Sequence, residues 1–166
     1  METWPIETSK PEPYIDDSEY ERFEGELSRR PVPGLNHAGF QRRMTDLLRL
    51  YEGPARGKVL QEWSISDGSG NWLTPDVTFS YPEFKTTRRG HLLVPAYLVV
   101  EIRSTDQSLK ELFDKRERYR KWRIPHYWIV DPVENACYEC SAVIEPRQDT
   151  LRAGEIEIAI RDIFGE

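Results

Sequence analysis

One run of the chain, Ala96 to Ile102, constrains the fold more than any other segment. It reads Ala-Tyr-Leu-Val-Val-Glu-Ile, an apolar stretch that a single acid interrupts. Such a run is typical of a central strand that is buried on both faces of a sheet. Burial of the Glu101 carboxylate is unfavourable unless a cation or hydrogen bonds compensate it. Glu101 is therefore the first candidate for a functional residue.

The segments around this run predict a single α/β or α+β domain. Apolar residues recur at three- and four-residue steps from Asn36 to Tyr51, which predicts an amphipathic helix. A second helix is predicted from Thr105 to about Arg123, before Pro125. Further strands are predicted over Val59–Ile65, Asp76–Phe79, Tyr127–Val130 and, as the hairpin partner of the last, Ala136–Val143.

The N-terminal segment differs in composition from the rest of the chain. Its first 15 residues hold three prolines among charges, which predicts an extended lead-in. Asp16 and Asp17 are predicted to cap a short helix that ends near Gly25, and residues 16–166 to form one domain. No segment is long and apolar enough for a membrane span, and the first residues lack a signal-peptide pattern. We therefore expect a cytoplasmic protein with no membrane partner.

The net charge of −6 argues at first against a nucleic-acid partner, because such proteins usually neutralise phosphates with Lys and Arg. The acidity is local, however. Residues 1–26 hold nine acids and two bases, whereas residues 27–166 hold 20 acids and 21 bases. Residues 108–124 hold seven bases and three acids, and Lys85, Arg88 and Arg89 form a second basic cluster. The composition therefore does not exclude a nucleic-acid substrate.

Asp76 is the second acid in a setting typical of a functional site. It follows Pro75 and opens a short β-rich segment. If this segment and the run ending at Glu101 are adjacent strands, their carboxylates can share a hard divalent cation, since Mg²⁺ prefers carboxylate oxygens and retained waters. The alternative is that Asp76 caps a turn and Glu101 pairs with a nearby arginine.

Lys115 differs from the other bases of the predicted second helix. On a helical wheel it lies within the apolar arc formed by Leu112, Tyr119 and Trp122. A lysine on this side meets a carboxylate or a substrate, or extends along the helix edge to solvent. Carboxylates that hold a metal, beside a lysine that orients or deprotonates a water, suit phosphodiester hydrolysis. Tyr119 and Trp128 are interpreted as packing residues.

Cys137 and Cys140 have the Cys-x-x-Cys spacing of some zinc and redox sites. A structural zinc site takes four ligands, and the sequence holds no second cysteine pair. The two residues also lie on a predicted strand, whereas a thioredoxin-like motif opens a helix. We interpret them as ordinary strand residues.

An ordered set of motifs carries a family resemblance. The motifs are Tyr20-Glu21-Arg22-Phe23-Glu24-Gly25-Glu26-Leu27, His37, Pro75-Asp76-Val77, Val99-Val100-Glu101-Ile102, Asp114-Lys115, Tyr119 and Ile124-Pro125-His126-Tyr127-Trp128-Ile129-Val130-Asp131-Pro132. With them the chain resembles, over about residues 16–165, the Uma-two family of restriction endonucleases in the PD-(D/E)XK nuclease superfamily. The resemblance implies an α/β fold with a restriction-endonuclease-like core, in which a mixed β-sheet is flanked by helices. It also implies a Mg²⁺-dependent endonuclease acting on DNA, with Mn²⁺ as a second candidate metal.

The resemblance further implies roles for individual residues. Asp76 and Glu101 match the metal-binding acids of the superfamily motif, and Glu21 matches an additional metal-binding acid carried on a helix. The superfamily's lysine stands two residues after Glu101, where this chain has Arg103. In Uma-two proteins the lysine moves to the following helix, where Lys115 stands. Arg103 is the rival, although an arginine stays protonated and is a poor base.

Three residues are candidates for substrate binding: His37, Arg103 and Ser104. His37 matches a histidine that family members often carry at the start of a helix, and the alternative is a local cap or core residue. Ser104 matches a family serine, but the proline that usually follows it is replaced by Thr105.

Two other classes of function stay open. One is a catalytically silent nuclease-fold protein that binds nucleic acid or a partner protein. The other is a small phosphodiesterase that acts on a nucleotide. A basic surface as large as a polymer favours DNA over a nucleotide as the substrate. A homodimer would suit an enzyme that cuts both strands.

Overall fold

The structure, a computed structural model, describes residues 19–165. The lead-in predicted for residues 1–15 lies outside this range. Twelve strands and three helices follow one another along the described chain: β1 (Tyr20–Phe23), β2 (Glu26–Arg29), α1 (Leu35–Arg49), β3 (Val59–Gln61), β4 (Ile65–Ser66), β5 (Val77–Phe79), β6 (Leu92–Leu93), β7 (Leu98–Ile102), α2 (Leu109–Lys121), β8 (His126–Asp131), β9 (Ala136–Cys140), β10 (Ile144–Arg147), β11 (Thr150–Ala153), β12 (Ile156–Ala159) and α3 (Ile160–Phe164).

A six-stranded mixed sheet forms the centre of the molecule, in the order β10-β9-β8-β7-β5-β3. The β7–β8 pair is parallel and the other pairs are antiparallel. A parallel pair needs a crossover connection, and α2 provides it. Three two-stranded pairs, β1-β2, β11-β12 and β4-β6, lie beside the sheet. The prediction of a mixed sheet flanked by helices is confirmed.

The sheet is covered on both faces, as the apolar run predicts. On one face, Met44 and Leu48 of α1 pack against Leu98, Val100 and Ile102. On the other face, helix α2 covers alternate positions of the same strand. There Leu112 and Tyr119 of α2, with Trp122 directly after the helix, pack in one cluster with Val99, Tyr127 and Ile129. All five residues of β7 are buried, so Glu101 lies under α2 in the interior.

The helix predicted from Asp16 to near Gly25 is wrong over its described part, which is a β-hairpin. Strands β1 and β2 pair through a two-residue turn, with Phe23 opposite Glu26. Glu24 and Gly25 have φ of 52° and 81°, the left-handed values that a type I′ hairpin turn requires. The hairpin is also joined to a distant segment, because Arg22 and Trp72 exchange two backbone hydrogen bonds of 2.8 and 2.7 Å.

Other predicted elements are shorter than expected or incomplete. The segment predicted as one strand from Val59 to Ile65 is divided between β3 and β4, and Glu62 between them has a φ of 51°. The hairpin partner of β8 ends at Cys140 rather than Val143. The elements after it, β10 to α3, have no counterpart in the predictions. No helix within residues 19–165 is long and apolar enough to cross a membrane.

The two cysteines of β9 are buried free thiols. Cys137 belongs to the core cluster under α1 and Cys140 to the cluster under α2, so their side chains lie on opposite faces of the sheet. Burial raises the pKa of each thiol to about 12. Both observations agree with their interpretation as strand residues.

Candidate active site

Asp76 and Glu101 meet across the centre of the sheet. In the β5–β7 ladder Val77 lies opposite Val100, so the next antiparallel pair along the register is Asp76 with Glu101. Both residues are 4% exposed, and both line one cavity of about 240 Å³. Two carboxylates predicted from separate motifs are thus neighbours at the end of adjacent strands.

The Asp76 carboxylate is held by three donors or cations. Its Oδ2 accepts a 2.7 Å hydrogen bond from the backbone N–H of Ile102 and lies 3.2 Å from Nε2 of His37. Its Oδ1 lies 3.4 Å from Nη2 of Arg30. Burial by itself would raise the pKa of Asp76, but the hydrogen bond and charge of His37, with Ile102 and Arg30, outweigh it and lower the pKa. Asp76 is therefore an anion at neutral pH.

Glu101 shares one oxygen between two donors of α2. Its Oε1 accepts hydrogen bonds from Nζ of Lys115 at 3.2 Å and from the hydroxyl of Tyr119 at 2.5 Å. Among residues 19–165, no group donates to its Oε2. Burial raises the pKa of Glu101 to about 7; Lys115 opposes this effect, and the charges of Asp76 and Glu21 add to it. Glu101 therefore titrates near neutral pH.

Lys115 lies between two carboxylates. Its Nζ donates to Oε1 of Glu21 at 2.7 Å as well as to Glu101. The other oxygen of Glu21 accepts a 2.8 Å hydrogen bond from the backbone N–H of Thr74. Burial lowers the pKa of Lys115, but the two carboxylates outweigh burial and raise it above its usual value. The residue is therefore an ammonium group that points into the site, as its position on the helical wheel predicts.

Glu21 reaches the site from a different element than the resemblance implies. It lies on strand β1 rather than on a helix, and each of its oxygens already accepts a hydrogen bond within the protein. Within residues 19–165, no group of three His, Cys, Asp or Glu side chains is arranged as a metal-binding cluster. Asp76 and Glu101 are therefore the better pair of candidate ligands.

His37 lies at the start of α1 and reaches the site. It is 7% exposed, and Asp76 raises its pKa although burial opposes this. Its Nδ1 is buried and has no hydrogen-bond partner in the described chain. One turn further along the helix, Gln41 donates a 2.9 Å hydrogen bond to the backbone carbonyl of Asp76. Helix α1 thus fixes the position of Asp76 through two side chains.

Arg103 does not join the carboxylate pair. Its Nη1 lies 3.0 Å from Oδ2 of Asp131, which is fully buried, and its Nε donates to the carbonyl of Gln107. The cavity that contains Asp76 and Glu101 is lined by Ser104 and Gln107 of the same loop but not by Arg103. The geometry therefore favours Lys115 over Arg103 as the cation of the site.

The basic face predicted on α2 is largely neutralised by neighbouring acids. Lys110 pairs with Asp114, Arg116 and Arg120 pair with Glu117, and Lys121 pairs with Glu24. Two arginines that the sequence did not single out, Arg29 and Arg30, line the cavity instead. Positive charge at the candidate site therefore comes partly from the end of the hairpin.

Sequence reasoning also missed the part that Tyr119 takes in the site, since it was interpreted as packing. Tyr119 is 1% exposed and packs edge-to-face against Tyr127, but its hydroxyl donates a hydrogen bond to Glu101. The signal that could have found it is its spacing of four residues from Lys115, which places both on one side of the helix. For Arg30 we see no comparable signal.

Comparisons with known proteins identify the family and the fold. The model of the family Uma2, described as "Putative restriction endonuclease", matches residues 12–157. No curated protein matches the chain. A crystal structure of "a putative nuclease belonging to DUF820" from Anabaena variabilis ATCC 29413 is similar, with a TM-score of 0.77 and 17% identity over 92% of this chain and 93% of that one. At that identity the likeness shows the fold. Because the family model covers most of the residues, the chain belongs to the Uma2 family of restriction-endonuclease-like nucleases.

Proposed function

We propose that the protein is a metal-dependent endonuclease that hydrolyses phosphodiester bonds in DNA. The observation that carries the proposal is the buried pair of Asp76 and Glu101 on one cavity, with the Lys115 ammonium bonded to Glu101. Membership of a restriction endonuclease family supports the reaction class. The proposal also specifies DNA as the polymer and Mg²⁺ or Mn²⁺ as the metal.

The carboxylate pair fits a hard divalent cation. Glu101 Oε2 accepts no hydrogen bond from residues 19–165, and the pKa of about 7 reflects burial beside two other acids. A cation between Asp76 and Glu101 would compensate this excess of negative charge. Mg²⁺ commonly binds through one or two carboxylates and keeps several waters, so a third protein ligand is not required. When bound, the metal supplies a water of lowered pKa and positive charge for the phosphate.

The protonation state of Lys115 limits the role it can have in hydrolysis. Because Glu101 and Glu21 keep it protonated, it donates hydrogen bonds rather than accepting the proton of a water. We assign it to orienting the attacking water and to stabilising negative charge on the phosphate. Glu21 then holds the ammonium in place through its 2.7 Å ion pair, and its own role as a metal ligand stays a prediction.

A second candidate function is a catalytically silent nuclease-fold protein that binds nucleic acid. One feature favours it, the engagement of Lys115 by two carboxylates within the protein. Activity on DNA distinguishes the two functions.

Cleavage of single-stranded, double-stranded and branched DNA with Mg²⁺ or Mn²⁺ tests the proposal. We expect Asp76→Asn, Glu101→Gln and Lys115→Met each to lower the rate about 100-fold or more. Their matched controls are exposed residues outside the cavity, with the same changes: Asp46→Asn, Glu83→Gln and Lys58→Met. Circular dichroism checks that all variants are folded. If the wild type cuts none of these DNAs with either metal, the silent-binder function is the correct one.

Titration calorimetry with Mn²⁺ tests the metal site without reference to activity. We expect one binding event that Asp76→Asn abolishes and Asp46→Asn leaves intact. Binding that persists in Asp76→Asn would place the metal elsewhere.

A further inference from the structure

We propose that a groove next to the carboxylate cavity binds an unpaired nucleobase of the substrate, beside the phosphate that lies at Asp76 and Glu101. This base groove is a second cavity, of about 330 Å³, and its lining includes Val32, Asn36, Asp106 and Val133. Its volume is at the lower end of the range of about 300–1,000 Å³ that is usual for ligand pockets. The inference rests on the proposed nuclease function and names the form of DNA that the site takes.

The two cavities adjoin each other. Val32, His37 and Ser104 line both of them, so one wall passes from the carboxylates into the base groove. A nucleotide whose phosphate lies in the first cavity can therefore place its base in the second.

Two valines and a proline supply apolar surface to the base groove. Val32 is 71% exposed and Val133 is 47% exposed, and Pro132 lies beside Val133. Exposed apolar surface loses contact with water when a flat ring packs on it, which is favourable. Proteins that unstack DNA use apolar side chains, proline included, as contacts for bases.

Polar groups suited to a base edge are also present. Within residues 19–165, the Asn36 side chain makes no hydrogen bond, and a side-chain amide can both donate to and accept from a base. The Asp106 carboxylate would repel a phosphate but can accept from a base amino group. The Arg103 guanidinium of this groove is already bound by Asp131.

The distribution of charge suits the two cavities to different parts of a nucleotide. Arg29, which forms no ion pair within residues 19–165, lines the carboxylate cavity together with Arg30 and suits a phosphate backbone. The two bases that line the base groove, His37 and Arg103, already face Asp76 and Asp131. Its other side chains are uncharged or, at Asp106, acidic, so the groove suits a base better than a phosphate. The substrate is therefore DNA with an unpaired base at the cut site, because the free-energy cost of extracting a base from a duplex is smallest for a mismatched or already single-stranded base.

The test is binding of three DNAs in EDTA: a single strand, a paired duplex, and the same duplex with a central mismatch that carries 2-aminopurine. We expect the wild type to bind the single strand and the mismatch about tenfold or more tightly than the paired duplex, with a change in 2-aminopurine fluorescence. Val133→Trp fills the groove and should remove both effects. Val143→Trp is the matched control, since Val143 is 55% exposed in the turn after β9 and lies outside both cavities.

Equal affinity of the wild type for paired and mismatched duplexes overturns the inference, as does an unchanged preference in Val133→Trp. If Val133→Trp does not fold, Asn36→Trp takes its place, because Asn36 is exposed and lines the base groove but not the carboxylate cavity. Cleavage is measured separately with Mg²⁺ and Mn²⁺. A protein that prefers unpaired DNA but cuts none contradicts the nuclease function alone, and one that cuts without any preference contradicts the base groove alone.

Discussion

The hydroxyl of Tyr119 donates a 2.5 Å hydrogen bond to Oε1 of Glu101. This contact leaves Oε2 as the oxygen of Glu101 without a donor in residues 19–165. Lys115 bonds the same Oε1, so two residues of α2, four apart, fix the rotation of one carboxylate on β7. Tyr119 is thus a positioning residue for the candidate metal ligand.

Replacing Tyr119 with Phe removes this bond while keeping the buried ring. Hydrogen bonds to charged groups contribute about 1.5–3 kcal/mol, so we expect the cleavage rate to fall about tenfold or more. The bond also lowers the pKa of Glu101, and the acidic limb of the pH–rate profile should therefore move to higher pH in Tyr119→Phe. Measuring kcat/KM from pH 5.5 to 8.5 checks both effects.

Tyr138→Phe is the matched control for this variant. Tyr138 is half-buried and packs edge-to-face against Phe113, and its hydroxyl makes no hydrogen bond with the described residues. A pH profile that is the same in Tyr119→Phe and the wild type would show that Tyr119 only packs.

The sequence predicts those parts of the fold that depend on local pattern. The apolar run around Val100 and the amphipathic period of α1 each identify a buried element. The helical wheel places Lys115 towards the sheet, and the structure brings it to Glu101 and Glu21. These predictions rest on residues within one segment, where periodicity records which side is buried.

The parts that the sequence did not predict depend on long-range contacts. The hairpin around Gly25 is joined to Trp72 through backbone hydrogen bonds, and the backbone N–H of Gly25 also donates to Oδ1 of Asn71. A local rule assigns Asp16 and Asp17 to a helix cap, because it cannot include partners that lie some 50 residues away. For the same reason the contact of Arg30 with Asp76 was not foreseen.

Protein stability should depend on pH through Glu101. Its pKa rises from an ordinary 4.5 to about 7 in the folded state, so the folded protein binds more protons than the unfolded chain between these values. The resulting stability is complete below pH 4.5 and is lost as the pH rises through about 7. The shift corresponds to at most about 3 kcal/mol. We expect Glu101→Gln to reduce this loss.

Urea unfolding from pH 5.5 to 8.5 measures the effect. His37, whose pKa is also raised, contributes in the same direction, so the difference between wild type and Glu101→Gln is the informative quantity. Asp76 has a lowered pKa and changes its charge below this range. Parallel curves for the two proteins would contradict a raised pKa of Glu101.

Arg103 should stabilise the fold through Asp131. The Asp131 carboxylate is fully buried and accepts bonds from Arg103 and from the backbone N–H groups of Val133 and Glu134. Removing the cation leaves a buried charge, which costs about 3–5 kcal/mol. We expect Arg103→Met to lose this much free energy of unfolding and Arg103→Met/Asp131→Asn to lose less. A loss below about 1 kcal/mol in the single variant would show that the pair is not coupled.

DNA binding should depend on Arg29 at the cavity. Arg29 is exposed, lines the cavity, and forms no ion pair within the described chain, whereas the bases of α2 such as Lys110 and Arg120 are paired with acids. For duplex DNA each neutralised phosphate contributes about −0.9 to the slope of log K against log salt. Arg29→Gln should therefore make the slope less steep by about 0.9, and Arg120→Gln should change it less. The control is Lys58→Gln, because Lys58 lies at the end of the β3–β5 ladder away from Asp76. Equal slopes for Arg29→Gln and Lys58→Gln would place the DNA on another surface.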